Sequence, residues 1–483
     1  MIRTPFLPAA IALFVSVTAL PAQDIDIQRV TSPGGIEAWL VEDHSIPFTA
    51  LSFAFQGGAS LDPEDQRGAI NLMAATLDEG AGDMDATAFA QATEDLGARI
   101  SFDAGDDALT VSMRALTENR DQAADLLGLA LTHPRFDPQA VERVRAQVLA
   151  VIRSEATDPQ TIAAKEMARL AWGDHPYATS TNGTAQSVAA LTSDHLREVK
   201  DRVLARDRVV IGAAGDISAD QLGPLLDRIL GDLPQTGSAP LPDQAQLQLG
   251  GGGVSVIDWD SPQTIISFAG PGLPIDDPDY FAAFVANHIL GGGGFSSRLM
   301  DEIREKRGLT YGIRTVLATG LYGQMWQGGM AGSNATAGQA VDLIAQEWAR
   351  MAEGVSAQEL QDAKTYLTGE YPLRWDGNGK IAGILSGMQL AGFPIDYPNF
   401  RNEMVEAVTA QDVQRVAENL LDAEALQFVL VGRPEGIAAI REPATAQEEP
   451  APAEESASDR EAQQEADSQT EPMPDDQLMP ALD

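Results

Sequence analysis

The sequence predicts an α+β protein made of two related domains in tandem, and three observations carry that expectation. The first is a repeat: IPFTALSFAFQGGASLDPED, from Ile46, lies over SPQTIISFAGPGLPIDDPDY, from Ser261, without a gap. Pro47 falls on Pro262, Thr49 on Thr264, Ser52-Phe53-Ala54 on Ser267-Phe268-Ala269, Gly57 on Gly272 and Asp62-Pro63 on Asp277-Pro278. The second is that the order continues downstream, where Gln122-Ala-Ala-Asp-Leu-Leu meets Gln339-Ala-Val-Asp-Leu-Ile and Leu191-Thr-Ser-Asp meets Val408-Thr-Ala-Gln. One long co-linear copy marks a duplicated domain and not a solenoid. The third is that each copy mixes alternating, strand-like runs with segments of helical period.

Taken in order, Arg3 precedes an apolar run from Pro8 to Leu20 that is too short to span a bilayer, and Leu20-Pro21-Ala22 before Gln23 has the form of a cleavage region. Residues 1–22 therefore read as a secretory signal peptide, which places the mature chain in the periplasm or outside the cell. The first domain follows over 23–232. Gln28–Val30, Ala38–Val41 and Phe48–Phe55 read as strands, the turns at Gly57-Gly58 and Asp62-Pro63 precede a helix over Gly68–Leu77, and strand alternation returns near Ile100–Phe102 and Leu109–Met113. Helical period resumes over Gln122–Leu131 and Ala140–Ile152, and Val209-Val-Ile-Gly closes the unit as a buried strand. Residues 233–253, LPQTGSAPLPDQAQLQLGGGG, are rich in Pro, Gln and Gly and read as a linker to the second domain, 254–441. From 442 to 483 the chain is Glu-, Pro-, Ala- and Gln-rich with no apolar period, which is the composition of a disordered acidic tail.

Composition narrows the function. With 32 Lys and Arg against 71 Asp and Glu, the net charge of −39 argues against a nucleic-acid binder, which needs clustered cations. No cysteine is present, so disulfides, thiolate metal sites and cysteine nucleophiles are excluded too. No later run is long and apolar enough for a transmembrane helix.

The stretch that carries chemistry is ILGGGGFSSRLMDEIREKRGLTYGIRT, Ile289 to Thr315. Gly291, Gly292, Gly293 and Gly294 are expected to break helix and leave bare amides. A helix with Leu299 and Ile303 on one face should follow, end at Gly308, and pass through Leu309-Thr310-Tyr311 into a strand. Arg298 and Tyr311 would then stand at a helix start and a strand start. A plain ion pair of Arg298 with Asp301 or Glu302 is the competing expectation. The string SSRL-x-x-x-I-R-E-x-x-G-L-x-Y resembles the arginine/tyrosine motif of the pitrilysin (insulinase) metallopeptidase family, in its second repeated domain, and the resemblance extends over nearly the whole chain between signal and tail.

That resemblance implies two tandem homologous α/β-sandwich domains of the metalloprotease (LuxS/insulinase-like) type. Active members carry H-x-x-E-H on the first helix of the first domain, with both histidines on one face to bind zinc and the Glu to activate water. Here RGAINLMAATLDEG stands in that place. The ligand positions fall on Asn71 and Ala75, the general-base position on Ala74, and the distal ligand position near Val151. Only five histidines exist, His44, His133, His175, His195 and His288, and no two are four apart. The resemblance thus implies a chain that binds no zinc of its own. Arg298 and Tyr311 would stabilise the transition state for a zinc-bearing partner subunit that cleaves peptides, and the four glycines loosely resemble the substrate loop of a noncatalytic processing-peptidase subunit. The alternative is a structural or binding protein of the same descent that has lost proteolysis.

Overall fold

The architecture is that of a computed structural model, which describes residues 25–249 and 251–437. The segment read as a signal peptide and the acidic tail from 442 lie outside the described residues.

The first half opens with strands β1 (Gln28–Thr31), β2 (Glu37–Glu42) and β3 (Phe48–Gln56), followed by helix α1 (Ala69–Ala74). A two-strand turn, β4 (Gly80–Ala81) and β5 (Met84–Asp85), leads to α2 (Ala86–Asp95) and to the hairpin β6 (Arg99–Ala104) and β7 (Ala108–Leu116). Five helices come next: α3 (Arg120–Thr132), α4 (Pro138–Glu155), α5 (Pro159–Trp172), α6 (Ala185–Ala190) and α7 (Ser193–Val203). Strand β8 (Val209–Gly215) and α8 (Ala219–Leu230) complete it. The second half has β9 (Gly253–Asp258), β10 (Gln263–Pro271), α9 (Tyr280–Asn287), the hairpin β11 (Thr310–Thr319) and β12 (Gln324–Ser333), then α10 (Ala337–Arg350) and α11 (Ala357–Glu370). Helices α12 (Asn378–Leu390), α13 (Tyr397–Ala407) and α14 (Ala410–Leu420) precede the last strand, β13 (Gln427–Gly432).

The duplication read from the sequence is present in the sheets. One runs β1-β2-β8-β3-β7-β6 and the other β9-β13-β10-β12-β11, so without β1 the two orders coincide. Each also has its single parallel pair at the same place, β2 with β8 and β9 with β13. The odd residues of β3 (Leu51, Phe53, Phe55) and of β7 (Leu109, Val111, Met113) point at one core with α1, α3, α4 and α7. Ile266, Phe268, Trp326 and Met330 point at the other with α9 and α10.

The opposite sheet faces are covered by exchange. Ile381, Ala382, Leu385 and Met388 of α12 pack on Trp39, Ala50 and Ala214 of the first sheet. Ala163, Met167, Ala171 and Trp172 of α5 pack on Ala269, Val429 and Val431 of the second. The helices hold corresponding places in the repeat, so each half lends the other the same element. Burial on both faces explains why β3 reads FTALSFAFQ, apolar almost throughout instead of alternating. The contact at Gly212 is so close that a Cβ there would lie 2.0 Å from the Ala382 carbonyl oxygen, which only glycine permits.

The tips of the equivalent hairpins β6–β7 and β11–β12 also meet. Asp107 accepts from the Leu321 amide (3.0 Å) and from the Tyr177 hydroxyl, whose oxygen in turn accepts from the Tyr322 amide at 3.0 Å. Residues 233–249, without helix or strand, run along this joint, with the Ala245 amide on the Tyr322 carbonyl and the Gln248 amide on that of Ala171. No helix among the described residues is long and apolar enough to cross a membrane.

Candidate functional site

Helix α9 continues into a π-helical turn, His288–Gly292, so two of the four glycines lie inside a helix. The expectation of a wholly helix-free glycine loop is corrected here. A Cβ on Gly291 would lie 2.5 Å from Thr315 Oγ1, and glycine lets the turn settle on β11 instead of leaving it. Gly291 is buried and presents nothing to a ligand; Gly292 and Gly294 are exposed, the latter at φ +56°. The hydroxyls of Ser296 and Ser297 donate back to the carbonyls of Gly293 and Gly294 (both 2.8 Å), which folds the loop on itself. The segment expected as an α-helix is a second π-helical turn, Met300–Glu305, with Leu299, Met300 and Ile303 buried. Such turns are rare and concentrate at functional sites. Gly308, at φ +63°, ends it as the sequence implies, and β11 begins at Thr310.

Arg298 is turned into its own half. Its Nε donates to Glu359 Oε1 (2.6 Å) and its Nη2 to Glu359 Oε2 (3.2 Å) and to the Gly354 carbonyl (3.0 Å). Its partner is neither Asp301 nor Glu302, the neighbours the sequence suggests; these two carboxylates hold Lys306 instead. Hydrogen bonding to the Arg298 guanidinium, aided by the Ser356 donors, outweighs burial, which acts in the opposite direction, and holds the Glu359 carboxyl down to about 2. Tyr311 is the reverse case, 90% exposed, with a hydroxyl that has no hydrogen-bond partner among the described residues. The structure does not join Arg298 to Tyr311.

The arginine that reasoning from sequence passes over is Arg304. Its guanidinium lies 4.4 Å from the centre of the exposed Phe295 ring. Nη1 is 3.1 Å from Glu305 Oε1, but buried and not aligned for a hydrogen bond, so this is proximity of charge only. The Gly308 amide on the Arg304 carbonyl (2.8 Å) and the Leu309 amide on that of Ile303 (3.0 Å) close one tight turn between Arg304 and Tyr311. That turn is the signal in the sequence, Gly308 standing between the two.

In the first half, α1 is held at its start by Asp62, which accepts from the amides of Gly68 (2.7 Å) and Ile70 (2.8 Å), while burial pushes its carboxyl up to about 7. Asn71 donates to Asn182 Oδ1 (2.8 Å), Asn182 donates to Glu155 Oε1 (2.6 Å), and Lys165 sits 3.0 Å from Glu155 Oε2. Ala74 is buried and Val151 is half exposed. This set does not fit zinc: a neutral amide and apolar side chains offer no ligand, and the nearby carboxylate is matched by Lys165. Among the described residues, no three of His, Cys, Asp and Glu are grouped to hold a metal ion. His44 pairs with Asp216 (2.7 Å), His195 accepts from the Thr192 amide, and His288, buried against Tyr366 at 4.9 Å between ring centres, is pushed down by burial.

Comparison with known proteins gives this geometry its descent. The family profile described as "Insulinase (Peptidase family M16)" matches residues 38–185, and "Peptidase M16 inactive domain" matches 190–367. A Helicobacter pylori protein called non-peptidase homolog YmxG is 26% identical over 396 residues, 81% of this chain and 90% of its own length. A Schizosaccharomyces pombe protein called probable mitochondrial-processing peptidase subunit beta is 24% identical across 90% of this chain and 97% of its own. The crystal structure of a peptidase M16 inactive domain from Pseudomonas fluorescens superposes with a TM-score of 0.79 at 28% identity, covering 86% of this chain and all of that one. With both profiles matching in order across the two halves, the chain belongs to the insulinase (peptidase M16) family, as a homologue whose zinc-binding positions are lost.

Proposed function

We propose that this chain is the noncatalytic subunit of a two-chain zinc peptidase, binding peptide substrate for a zinc-bearing partner of the same family and working outside the cytoplasm. One observation carries the reading. The scaffold is kept, with the exchanged helices and the Arg304–Tyr311 turn, while at the zinc positions Asn71 is tied into an Asn182–Glu155 chain and Ala74, Ala75 and Val151 offer no ligand. Tyr311 supplies a free donor directly. Arg298, held by Glu359, positions the glycine loop that begins at Gly292, the part of the four-glycine run still open to a peptide. Zinc and the attacking water belong to the partner.

The test is co-purification from the native host, with zinc analysis and peptidase assay of the eluate. A zinc-bearing M16 chain at equal stoichiometry, with chelator-sensitive cleavage, supports the reading; a homogeneous chain with no such partner overturns it. A second reading, a binding or structural protein of the same descent, is favoured by one fact: the Arg298 fork is already engaged inside the fold.

A further inference from the structure

The helix exchange covers only half of each sheet. Helix α12 lies on β2, β8 and β3, and α5 lies on β10 and β13, so the same faces of β6–β7 and of β11–β12 are left without a covering helix. Because each covering helix comes from the other half, these open faces look toward one another. The hairpin tips are pinned together at Asp107, Tyr177 and Tyr322, so the two open faces share that joint.

The charges on these faces run against the chain's character. Arg99 and Arg114 stand directly opposite each other across β6 and β7, both exposed, and Arg314 is exposed on β11. Arg99 lies five residues back from the end of β6 and Arg314 five back from the end of β11, so both sit at the same height, roughly 17 Å above the joint. In a chain of net charge −39, none of the three has a carboxylate within ion-pair distance among the described residues. Two like charges facing each other across an antiparallel pair are destabilising. Arg114 is held in place by the Phe48 ring, 5.0 Å away. The only acidic side chain on the same strand faces is Asp103, nearer the joint. Ser101 and Ser112, hydroxyl to hydroxyl at 2.7 Å, separate it from the arginine pair.

We infer that the two open faces wall a cleft that binds an acidic peptide segment, with Arg99 and Arg114 clasping one carboxylate from one wall and Arg314 meeting a second from the other. The guanidinium fork matches a carboxylate in two bonds, and a cleft with low-dielectric walls strengthens the attraction. The inference rests on reading the chain as a substrate-binding subunit and names the class of peptide it prefers.

The test is made on the full chain alone, by fluorescence anisotropy with three labelled nine-residue peptides that alternate Ala with Glu, Gln or Lys. The Glu peptide is expected to bind at least tenfold tighter than either of the others, and to weaken as salt rises. Arg99→Ser with Arg114→Ser, or Arg314→Ser, should each remove most of that preference at unchanged melting temperature. Arg197→Ser, on α7 away from the cleft, should leave it intact. Equal affinity for the Glu and Gln peptides, or a preference that survives all three cleft substitutions, overturns the inference. Tighter binding of a 20-nucleotide single strand than of the Glu peptide would assign the arginines to phosphates and overturn it as well. No partner or turnover enters this measurement, so its failure is separate from a failure to find a zinc-bearing subunit.

Discussion

Arg298 and Glu359 form a two-pronged ion pair, 2.6 and 3.2 Å, that ties the glycine loop to the first turn of α11. Glu359 also accepts from the Ser356 amide at 2.8 Å, so a single carboxylate joins the loop to a helix cap. The side chain of Arg298 is nine-tenths buried in this arrangement.

Arg298→Ala is therefore expected to destabilise the fold by about 1–3 kcal/mol, since it strands a carboxylate and the Gly354 carbonyl. Chemical denaturation measures this. Unchanged stability with lost turnover in a reconstituted complex would instead make Arg298 a direct donor to substrate.

The same pair sets a pH dependence. Glu359 falls from its ordinary value of 4.5 to about 2 on folding, so the folded chain releases this proton more readily than the unfolded one. Its contribution is complete above about 4.5 and disappears as the pH drops toward 2. Denaturation midpoints across that window should converge for wild type and Arg298→Ala at the acidic end.

Tyr311→Phe should leave stability unchanged, because the side chain is exposed and its hydroxyl has no hydrogen-bond partner among the described residues. In a complex with the zinc-bearing partner it should lower turnover roughly 10²–10³-fold if chemistry limits the rate. Arg304→Ala, which removes the guanidinium that lies on the exposed Phe295 at the other end of the same tight turn, tests whether that turn presents a second donor. Wild-type turnover from both variants would leave the turn with a purely structural role.

The purified chain should carry no stoichiometric zinc, since Asn71, Ala74, Ala75 and Val151 supply no ligand in place of the family's donors. Elemental analysis after dialysis against micromolar zinc checks it; one zinc per chain would refute it.

The exchanged helices should make the two halves one cooperative unit. Leu385→Ala, fully buried between α12 and the first sheet, is expected to cost about 2–5 kcal/mol and to shift a single unfolding transition. A fragment ending at 232 should expose the sheet face around Trp39 and Ala50 and aggregate. Two separate transitions would show that the halves fold alone.

The sequence by itself determined the duplication, the family and the loss of the zinc positions. Each of these is a pattern of residue types along the chain: Ser52-Phe53-Ala54 repeats as Ser267-Phe268-Ala269, Asn71 and Ala75 stand where histidines would be needed, and Ala74 holds no metal in any fold. What only the tertiary structure decided are contacts between residues far apart in the chain. That Arg298 meets Glu359, 61 positions on, instead of Asp301 depends on where α11 docks. That Gly291 stays helical depends on its approach to Thr315 on β11. That α5 and α12 change places, leaving Arg99, Arg114 and Arg314 on open sheet faces, depends on how two half-covered sheets bury each other. Local pattern fixes which face of an element is apolar; only packing decides whose core that face enters.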